Sequence, residues 1–172
     1  SIAKIGQFPW RRDVYSKILE NLSQHSPSAI AFDIVFSETD KQNPQDLLLQ
    51  LQKENDQLEN IKVINTNQIF IDSINKSRVI LPIIGEPNDN FIKNNSKPKL
   101  RIISKGNDPK DFIYKYKNKI ISLEEINDVA SGIGSISLIP NIDGILRNVP
   151  ILYNIDNQIW PSLALETVRI ST

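Results

Sequence analysis

The sequence predicts an α/β fold: one domain with a mixed sheet, parallel strands in its N-terminal part, an antiparallel hairpin near its C-terminus, and helices packed on the sheet. Two apolar runs rich in strand formers, one beginning at Ala29 and one at Val79, each follow a segment with helical periodicity. Alternating helices and strands of this kind are typical of parallel sheets. Further along, Asp143-Gly144 separates two apolar runs, and this dipeptide is a strong hairpin signal.

The first helix is predicted to follow the turn at residues 8–10, with Asp13 as its N-cap. Apolar residues recur in it at helical spacing and predict a buried stripe: Val14, Ile18, Leu19 and Leu22. The helix should end before Pro27, because proline cannot continue it. The apolar run over residues 29–36 comes next, and we expect it to be the central strand of the sheet.

A second helix is predicted to begin after Asn43, an N-capping residue that is followed by proline at the first helical position. Its leucine-rich sequence continues to Ile61, and residues 63–74 either extend it or form a further segment. The second buried strand is predicted over residues 79–84. Pro82 is unexpected in that strand, because proline removes a backbone donor from the sheet.

Capping and turn signals predict the middle segments. Residues 112–121 alternate in part between apolar and basic side chains, which indicates an edge strand or the start of a hairpin. Ser122 and Glu125 have the spacing of a capping box, which predicts a helix over residues 123–131. Gly132 is expected to close that helix.

The last part of the chain is predicted to hold the hairpin and a final helix. Strands over residues 133–139 and 145–153 flank the Asp143-Gly144 turn. The final helix opens at residues 160–162 and continues through an apolar segment to the end of the sequence.

Composition excludes several classes of function. The 172 residues include 20 basic and 20 acidic side chains, so the formal net charge is zero and provides no general attraction for nucleic acid. There is no cysteine and a single histidine, His25, which excludes a thiol nucleophile and a histidine-based metal site. No run approaches the roughly 20 apolar residues that span a bilayer. Methionine is absent and Ser1 opens the chain, so we expect a fragment of a longer polypeptide.

Acidic residues lie in and after the first apolar run. Asp33 lies within it, and Glu38 and Asp40 follow, so a strand here would deliver the three carboxylates to one rim of the sheet. Oxygen-rich rims bind Mg²⁺ or Ca²⁺, which suggests a divalent cation site for phosphoester hydrolysis. The alternative is that Asp33 is structural and paired with an arginine or with backbone donors, while the other two acids are solvated.

A second polar group surrounds the predicted hairpin turn. Arg147 follows Asp143 on the next strand, where the guanidinium can turn toward Asp143 and clamp a carboxylate or phosphate. The alternative is that Asp143 is a turn residue and that Arg147 neutralises Asp33. We predict that Asp33, Asp143 and Arg147 form a ligand-binding polar cluster at the rim of the sheet.

The sequence lacks the residue patterns of several common enzyme classes. A serine triad would need His25, which lies in a polar helix end beside Pro27, and no phosphate-cradling glycine loop is present. An aspartyl phosphatase would carry a second aspartate two residues after Asp33, where Val35 stands. The leading prediction is therefore a noncatalytic domain without a cofactor or a metal site.

Several segments, in order, resemble one family. They are FPW followed by arginines, VYSKILENL, SAIAFDIVFSE, Asp46 ahead of leucines, VILP, SGIGSISLIPNIDGILRNVPI and WPSLALETVR. This ordered set spans most of the chain and resembles the CHASE2 domain. Two positions depart from the family's pattern: Arg11 replaces a proline that often follows the tryptophan, and Asn141 replaces a carboxylate in the turn that ends at Gly144.

The resemblance implies a sensory module on the periplasmic or extracellular side of the bacterial inner membrane. Its parent proteins carry flanking transmembrane helices and a cytoplasmic cyclase or kinase. Residues 1–172 would then be one sensor domain that detects an unknown small-molecule or protein stimulus. Two other hypotheses stay open: the cation-dependent hydrolase described above, and a dimerisation module in which the leucine-rich helix over residues 44–61 pairs with a second copy.

Overall fold

The computed structural model describes residues 5–53, 61–88, 96–139 and 143–172. It confirms the predicted fold class, because helices pack on a mixed sheet whose early strands are parallel, and an antiparallel hairpin lies late in the chain. The chain divides into two compact units. Unit 1 comprises residues 1–27 and 38–77, and unit 2 comprises residues 28–37 and 78–172.

The helices described in unit 1 are α1 over Arg12–Ser23, α2 over Pro44–Gln52 and α3 over Thr66–Asn75. The N-cap of α1 is Arg11, so the prediction that Asp13 occupies this position is wrong. Asp13 lies in the first turn of the helix, where its carboxylate binds the Arg11 guanidinium at 2.6 Å. This hydrogen bond lowers the pKa of Asp13.

The buried side of α1 agrees only in part with the predicted stripe. Leu19 is buried as predicted, whereas Ile18 and Leu22 are exposed. Tyr15 is buried as well, and its ring packs on that of Phe70 in α3, with centroids 5.9 Å apart. The helix therefore buries the side that carries Tyr15, because this ring brings more apolar surface to the contact than an isoleucine side chain does.

The segment after α2 contains a separate helix. Asn65 caps α3, because its side-chain oxygen accepts a hydrogen bond from the Gln68 N–H group (3.1 Å). Helix α2 follows its predicted N-cap, Asn43, and ends at Gln52. Residues 54–60, over which the sequence predicts its continuation, lie outside the described residues.

The strands described in unit 2 are β1 over Ile30–Ala31, β2 over Val79–Glu86, β3 over Tyr114–Tyr116, β4 over Asn118–Ile121, β5 over Gly132–Ser135, β6 over Leu152–Ile155 and β7 over Gln158–Pro161. In the larger sheet, β1 and β5 pair with β2 in parallel, and β4 pairs with it in the antiparallel sense. The central strand is therefore β2. The prediction that residues 29–36 form the central strand is wrong, because that run leaves the edge of β2 after Phe32.

Pro82 lies within β2 although it has no N–H group. Ile80 O accepts a hydrogen bond from Phe32 N (3.0 Å), so alternation along the strand directs Pro82 to the same edge. There the neighbouring strand changes from β1 to β4, whose pairing with β2 begins at Ile83 with Ile121. The N–H group that Pro82 lacks would lie between the pairing of β2 with β1 and its pairing with β4, so its absence breaks neither pairing.

A second sheet in unit 2 consists of β3, β6 and β7, with β6 parallel to β3 and antiparallel to β7. The hairpin between β6 and β7 turns at Asp156 and Asn157, whose φ angles are 52° and 58°. Two consecutive positive φ angles are typical of a tight hairpin turn. The prediction that Asp143-Gly144 forms the hairpin turn is wrong, because β5 pairs with β2 and not with the segment after Gly144.

The helices described in unit 2 are α4 over Glu124–Val129 and α5 over Leu163–Ser171. No side chain caps α4, so the predicted capping box is wrong. The Ser122 hydroxyl oxygen instead accepts a hydrogen bond from Phe36 N (3.0 Å). Gly132 is the first residue of β5 and does not close the helix. Helix α5 begins directly after Ser162, as predicted.

The core of unit 2 contains side chains from both of its sheets: Ile83, Ile121, Ile133, Tyr153, Ile155 and Trp160. Beside it lies Lys119, whose side chain is almost completely buried. Its ammonium group donates to Asp156 Oδ2 (3.1 Å) and Ser96 O (2.9 Å), and it lies 5.6 Å from the ring centroid of Trp160. These contacts compensate the charge, which would be costly to bury alone.

Candidate functional site

Asp33 lies in unit 2, in the segment that follows β1, and its side chain is exposed. The buried neighbours Phe32 and Phe36 pack edge to face, with ring centroids 5.7 Å apart. Within the described residues, Asp33 forms no hydrogen bond or ion pair. Its carboxylate is therefore accessible to a ligand, and the alternative of a buried, paired structural aspartate does not agree with this exposure.

Asp143 and Arg147 form a bidentate ion pair on the surface of unit 2. Arg147 Nη1 donates to Asp143 Oδ1 (3.0 Å), and Nη2 lies 2.7 Å from Oδ2. The hydrogen bond from Arg147 lowers the pKa of Asp143, and a bond from Ile145 N (3.1 Å) acts in the same direction. An anionic ligand would have to displace Asp143 from the guanidinium.

Two of the three predicted ligand-binding residues therefore lie together. The contacts of the described residues include none between Asp33 and either Asp143 or Arg147. The alternative in which Arg147 neutralises Asp33 has no support, because the guanidinium binds Asp143 through both of its terminal nitrogens.

Glu38 and Asp40 belong to unit 1, whereas Asp33 belongs to unit 2. Glu38 lies on the surface, where it pairs with Lys41 at 2.8 Å, and this hydrogen bond lowers the pKa of Glu38. Asp40 is buried, with 7% of its surface exposed. In the described part of the chain, no three His, Cys, Asp or Glu side chains are grouped so that they could hold a metal ion. The hydrolase hypothesis has no support from this geometry.

The Asp40 carboxylate connects the N-termini of two helices in unit 1. Its Oδ2 atom accepts hydrogen bonds from Arg12 N (2.9 Å), at the first residue of α1, and from Thr66 Oγ1 (2.7 Å), at the first residue of α3. Its Oδ1 atom accepts one from Gln42 N (3.0 Å). The charge faces the positive ends of both helix dipoles, so burial of this carboxylate is compensated.

Asn43 extends the same network. Its side-chain oxygen accepts hydrogen bonds from Thr66 N (3.0 Å) and Thr66 Oγ1 (3.2 Å). Its backbone oxygen accepts one from Asp46 N (3.2 Å) in the first turn of α2. The loop over residues 38–43 therefore holds the N-termini of all three helices described in unit 1.

Arg12 covers this network with its side chain. Its Nη2 atom donates to Glu38 O (2.8 Å), and its guanidinium carbon lies 6.0 Å from the ring centroid of Phe70. Burial lowers the pKa of Arg12, and the charge of Asp40 acts in the opposite direction. The second arginine after the tryptophan is thus a structural part of unit 1.

Ser162 lies where β7 ends and α5 begins, and it contacts three segments of unit 2. Its backbone N–H group donates to Ile151 O (2.7 Å), next to the start of β6. Its hydroxyl oxygen accepts a hydrogen bond from Leu165 N (3.1 Å) and so caps α5, and the residue forms a parallel bridge with Ser135 of β5. A displacement of any of these segments would move the N-terminus of α5.

Gly132 and Gly134 allow α5 to approach β5 closely. A Cβ atom at Gly134 would lie 2.6 Å from Leu163 Cα, and one at Gly132 would overlap the side chain of Glu166. Glu166 is completely buried, and Arg169 donates two hydrogen bonds to its carboxylate (2.8 and 2.7 Å). Arg169 therefore neutralises the charge of Glu166, which the same helix buries against the sheet.

The contact between α5 and β5 was not found by sequence reasoning. The available signal is the alternation in SGIGSIS, which places Gly132 and Gly134 on one face of a strand. Glycine inside a strand marks a place where another backbone approaches closely. Gly132 was expected to close a helix, but it is the first residue of β5, where this close approach occurs.

An exposed apolar segment precedes β6 in the sequence and ends at Ile151, which contacts Ser162. Its exposed members are Ile145, Leu146, Val149 and Ile151. Ile151 accepts the hydrogen bond from Ser162 N, and the ion pair of Asp143 with Arg147 lies at the other end of the segment. We call residues 143–151 the exposed segment.

No helix in the described part of the chain is long and apolar enough to cross a bilayer. No curated protein and no solved structure matches the chain. The CHASE2 domain family, by contrast, matches residues 1–172, which is the whole chain, and this confirms the resemblance seen in the ordered motifs. The chain therefore belongs to the CHASE2 domain family, whose members are extracytoplasmic sensory domains.

Proposed function

We propose that this chain detects a stimulus outside the cytoplasmic membrane of a bacterium, and that flanking transmembrane helices pass its state to a cytoplasmic cyclase or kinase. Membership of a sensory family supports detection as the role of the chain. The observation that carries the proposal is the set of contacts at Ser162, because this one residue connects the exposed segment, β5 and the start of α5.

The proposed stimulus site consists of Asp33 and the exposed segment. Asp33 offers an exposed carboxylate that has no hydrogen-bond or ion-pair partner among the described residues, and the segment offers apolar side chains beside the pair of Asp143 with Arg147. A ligand with an acidic group would compete with Asp143 for the guanidinium. Release of Asp143 would change the conformation of the segment, since the pair joins two of its residues that are four positions apart.

A stimulus changes signalling only through its different affinities for two conformations. The two conformations that we propose differ in the position of Ile151 relative to Ser162. Because Ser162 caps α5, a shift at this hydrogen bond alters the first turn of the last helix in the sequence. The sheets stay intact, and α5 is the element that moves.

Substitution of Ser162 by alanine in the full-length parent protein is expected to change the basal output of its cytoplasmic domain. Loss of an N-cap costs about 1 kcal/mol, which alters the ratio of two conformations about fivefold. Product formation by the output domain in isolated membranes measures this change. Ser171→Ala, the same substitution at the other end of α5, is the matched control, and its output should equal that of the unmodified protein. Equal output from Ser162→Ala and the unmodified protein would contradict the coupling.

A second candidate function is self-association through α2. None of the residues of this helix is buried, and its exposed leucines are Leu47, Leu49 and Leu51. Asp46 is the only charged residue within Pro44–Gln52, so two copies of the helix would meet with little charge repulsion. This observation favours the dimerisation hypothesis for unit 1.

Leu51→Glu is expected to convert a dimer to a monomer, because it places a charge in the apolar contact. Sedimentation velocity of the purified chain over a range of concentrations measures the change. Gln45→Glu, which adds the same charge on the side of α2 away from Leu47 and Leu51, should leave the dimer intact. A chain that is monomeric before substitution removes this second candidate.

A further inference from the structure

Helices α1 and α3 lie side by side and run in the same direction. Their first residues, Arg12 and Thr66, both donate to Asp40. At their other ends, Ser23 Oγ and Ser77 Oγ lie 2.9 Å apart. Two helices whose starts meet at one carboxylate and whose ends meet at one hydrogen bond are parallel.

Parallel helices place like ends of their dipoles together, which is unfavourable unless charge of opposite sign is present. At the N-terminal ends, the buried carboxylate of Asp40 supplies that charge. At the C-terminal ends, neither helix has a basic residue in its last turn. The negative ends of the two dipoles therefore converge, and Lys76, the C-cap of α3, is a neighbouring cation.

An open cavity of about 370 Å³ lies at these C-terminal ends. The residues that line it come from both helices and the turns that follow them: Glu20, Ser23, Gln24, Ser73, Lys76 and Ser77. Glu20 adds a full negative charge to the two dipole ends. Glu20 and the two dipole ends favour a cationic group in this cavity, whereas Lys76 favours an anionic one.

The acceptors that line the cavity suit an ammonium group better than a metal ion. Glu20 supplies a single carboxylate, and the other acceptors are the hydroxyl groups of three serines and the amide oxygen of Gln24. Ser73 is more than nine-tenths buried, and its hydroxyl donates to Ile69 O (2.9 Å), which leaves its oxygen lone pairs for an N–H donor. Divalent cations need several charged oxygen ligands, and one carboxylate does not provide them.

Lys76 adds a basic group to the same lining. It is the C-cap of α3, and its ammonium group can bind an acidic group of a ligand whose own ammonium group binds Glu20. The volume lies near the lower end of the roughly 300 to 1,000 Å³ that is usual for ligand cavities, which suits a compact molecule.

We propose that the cavity between the C-terminal ends of α1 and α3 binds a small zwitterion of the amino-acid class. Glu20 and the serine hydroxyls hold its ammonium group, and Lys76 holds its carboxylate. The site lies entirely within unit 1 and is separate from the stimulus site proposed above.

Binding to the purified 172-residue chain tests the proposal without any measurement of signalling. Each of the twenty standard amino acids is titrated by calorimetry, with thermal unfolding as a second readout. For the tightest of them, the matched amine without the carboxylate and the matched acid without the ammonium group are titrated as well. We expect saturable binding of at least one amino acid, weaker binding of the amine, and no binding of the acid.

Substitutions identify the site. Glu20→Gln is expected to raise the Kd of the amino acid by roughly tenfold or more, because a charge-assisted hydrogen bond is lost. Lys76→Gln should weaken binding of the amino acid but leave binding of the amine unchanged. Glu125→Gln, which neutralises an exposed carboxylate on α4 in the other unit, is the matched control and should leave every Kd unchanged.

Absence of binding by all twenty amino acids overturns the proposal, and so does an unchanged Kd for Glu20→Gln. Preference for the acid over the amine overturns it too, because it reverses the predicted charge. Binding without any effect on the output of the parent protein would support this site and would not bear on the sensory function proposed above, because the stimulus site proposed there is a different one. If the parent protein responds to a stimulus but the isolated chain binds no amino acid, the zwitterion site is overturned and the proposed sensory function stays in place.

Discussion

Substitution of Gly134 by alanine is expected to lower the free energy of unfolding by about 2 to 3 kcal/mol. The added Cβ atom would lie 2.6 Å from Leu163 Cα and 2.8 Å from Leu163 N, both of which are backbone atoms of α5. A side chain can rotate away from such an overlap, but here the first turn of the helix has to move. Chemical denaturation of the purified chain, followed by circular dichroism, measures the loss.

Gly132→Ala is the matched comparison, because it adds the same methyl group to the same strand and meets a side chain, that of Glu166. We expect a smaller loss of stability than for Gly134→Ala, since part of that side chain can shift. If the two variants were equally stable, or if Gly134→Ala were as stable as the unmodified chain, α5 would not lie against β5 as described.

Substitution of Asp40 by alanine is expected to lower the free energy of unfolding by about 3 kcal/mol. Three donors lose their acceptor, namely Arg12 N, Gln42 N and Thr66 Oγ1, and two of the groups lie at helix starts. Asp40→Asn keeps one carbonyl oxygen and should lose less than the alanine variant. Urea denaturation of the three proteins measures the series.

Glu38→Ala is the control for this series, because Glu38 is a neighbouring acid whose side chain is mostly exposed. The midpoint of its urea denaturation should not change. A loss of less than 1 kcal/mol for Asp40→Ala would show that the helix starts do not depend on this carboxylate.

The sequence was sufficient for the class of fold, but strand order depends on distant residues. The run over residues 29–36 contains more strand formers than β2, yet it pairs only at its beginning. Strand β2 is central because its partners come from residues 30–31, 118–121 and 132–135, and no local pattern specifies such pairings. The ordered motifs, which span these segments, were more informative than the strength of any one run.

Turns and caps were predictable where their chemistry is local. The start of α5 at Ser162 follows from a side chain and an N–H group three residues apart. The Asp143-Gly144 signal was misleading, because a dipeptide that suits a tight turn does not determine which strands pair. Asp156-Asn157, between the apolar segments of β6 and β7, carries the hairpin with a weaker local signal.

The candidate site was predictable only within the exposed segment. The pairing of Asp143 with Arg147 follows from their separation of four residues. The burial of Asp40 does not follow from its neighbours, because two of its three donors lie 28 and 26 residues away in the sequence. A carboxylate that caps distant helices looks, in the sequence, like an ordinary acid in a loop.

Cysteine labelling in the parent protein tests whether the chain lies outside the cytoplasmic membrane. The chain contains no cysteine, so Ile103→Cys, at a position that is 85% exposed, introduces a single reactive thiol into it. In a parent freed of its other cysteines, a membrane-impermeant maleimide is applied to spheroplasts before and after lysis. Ile133→Cys, at a buried position, is the control and should be labelled only after denaturation. We expect Ile103→Cys to be labelled to the same extent before and after lysis; labelling that appears only after lysis would contradict an extracytoplasmic sensor.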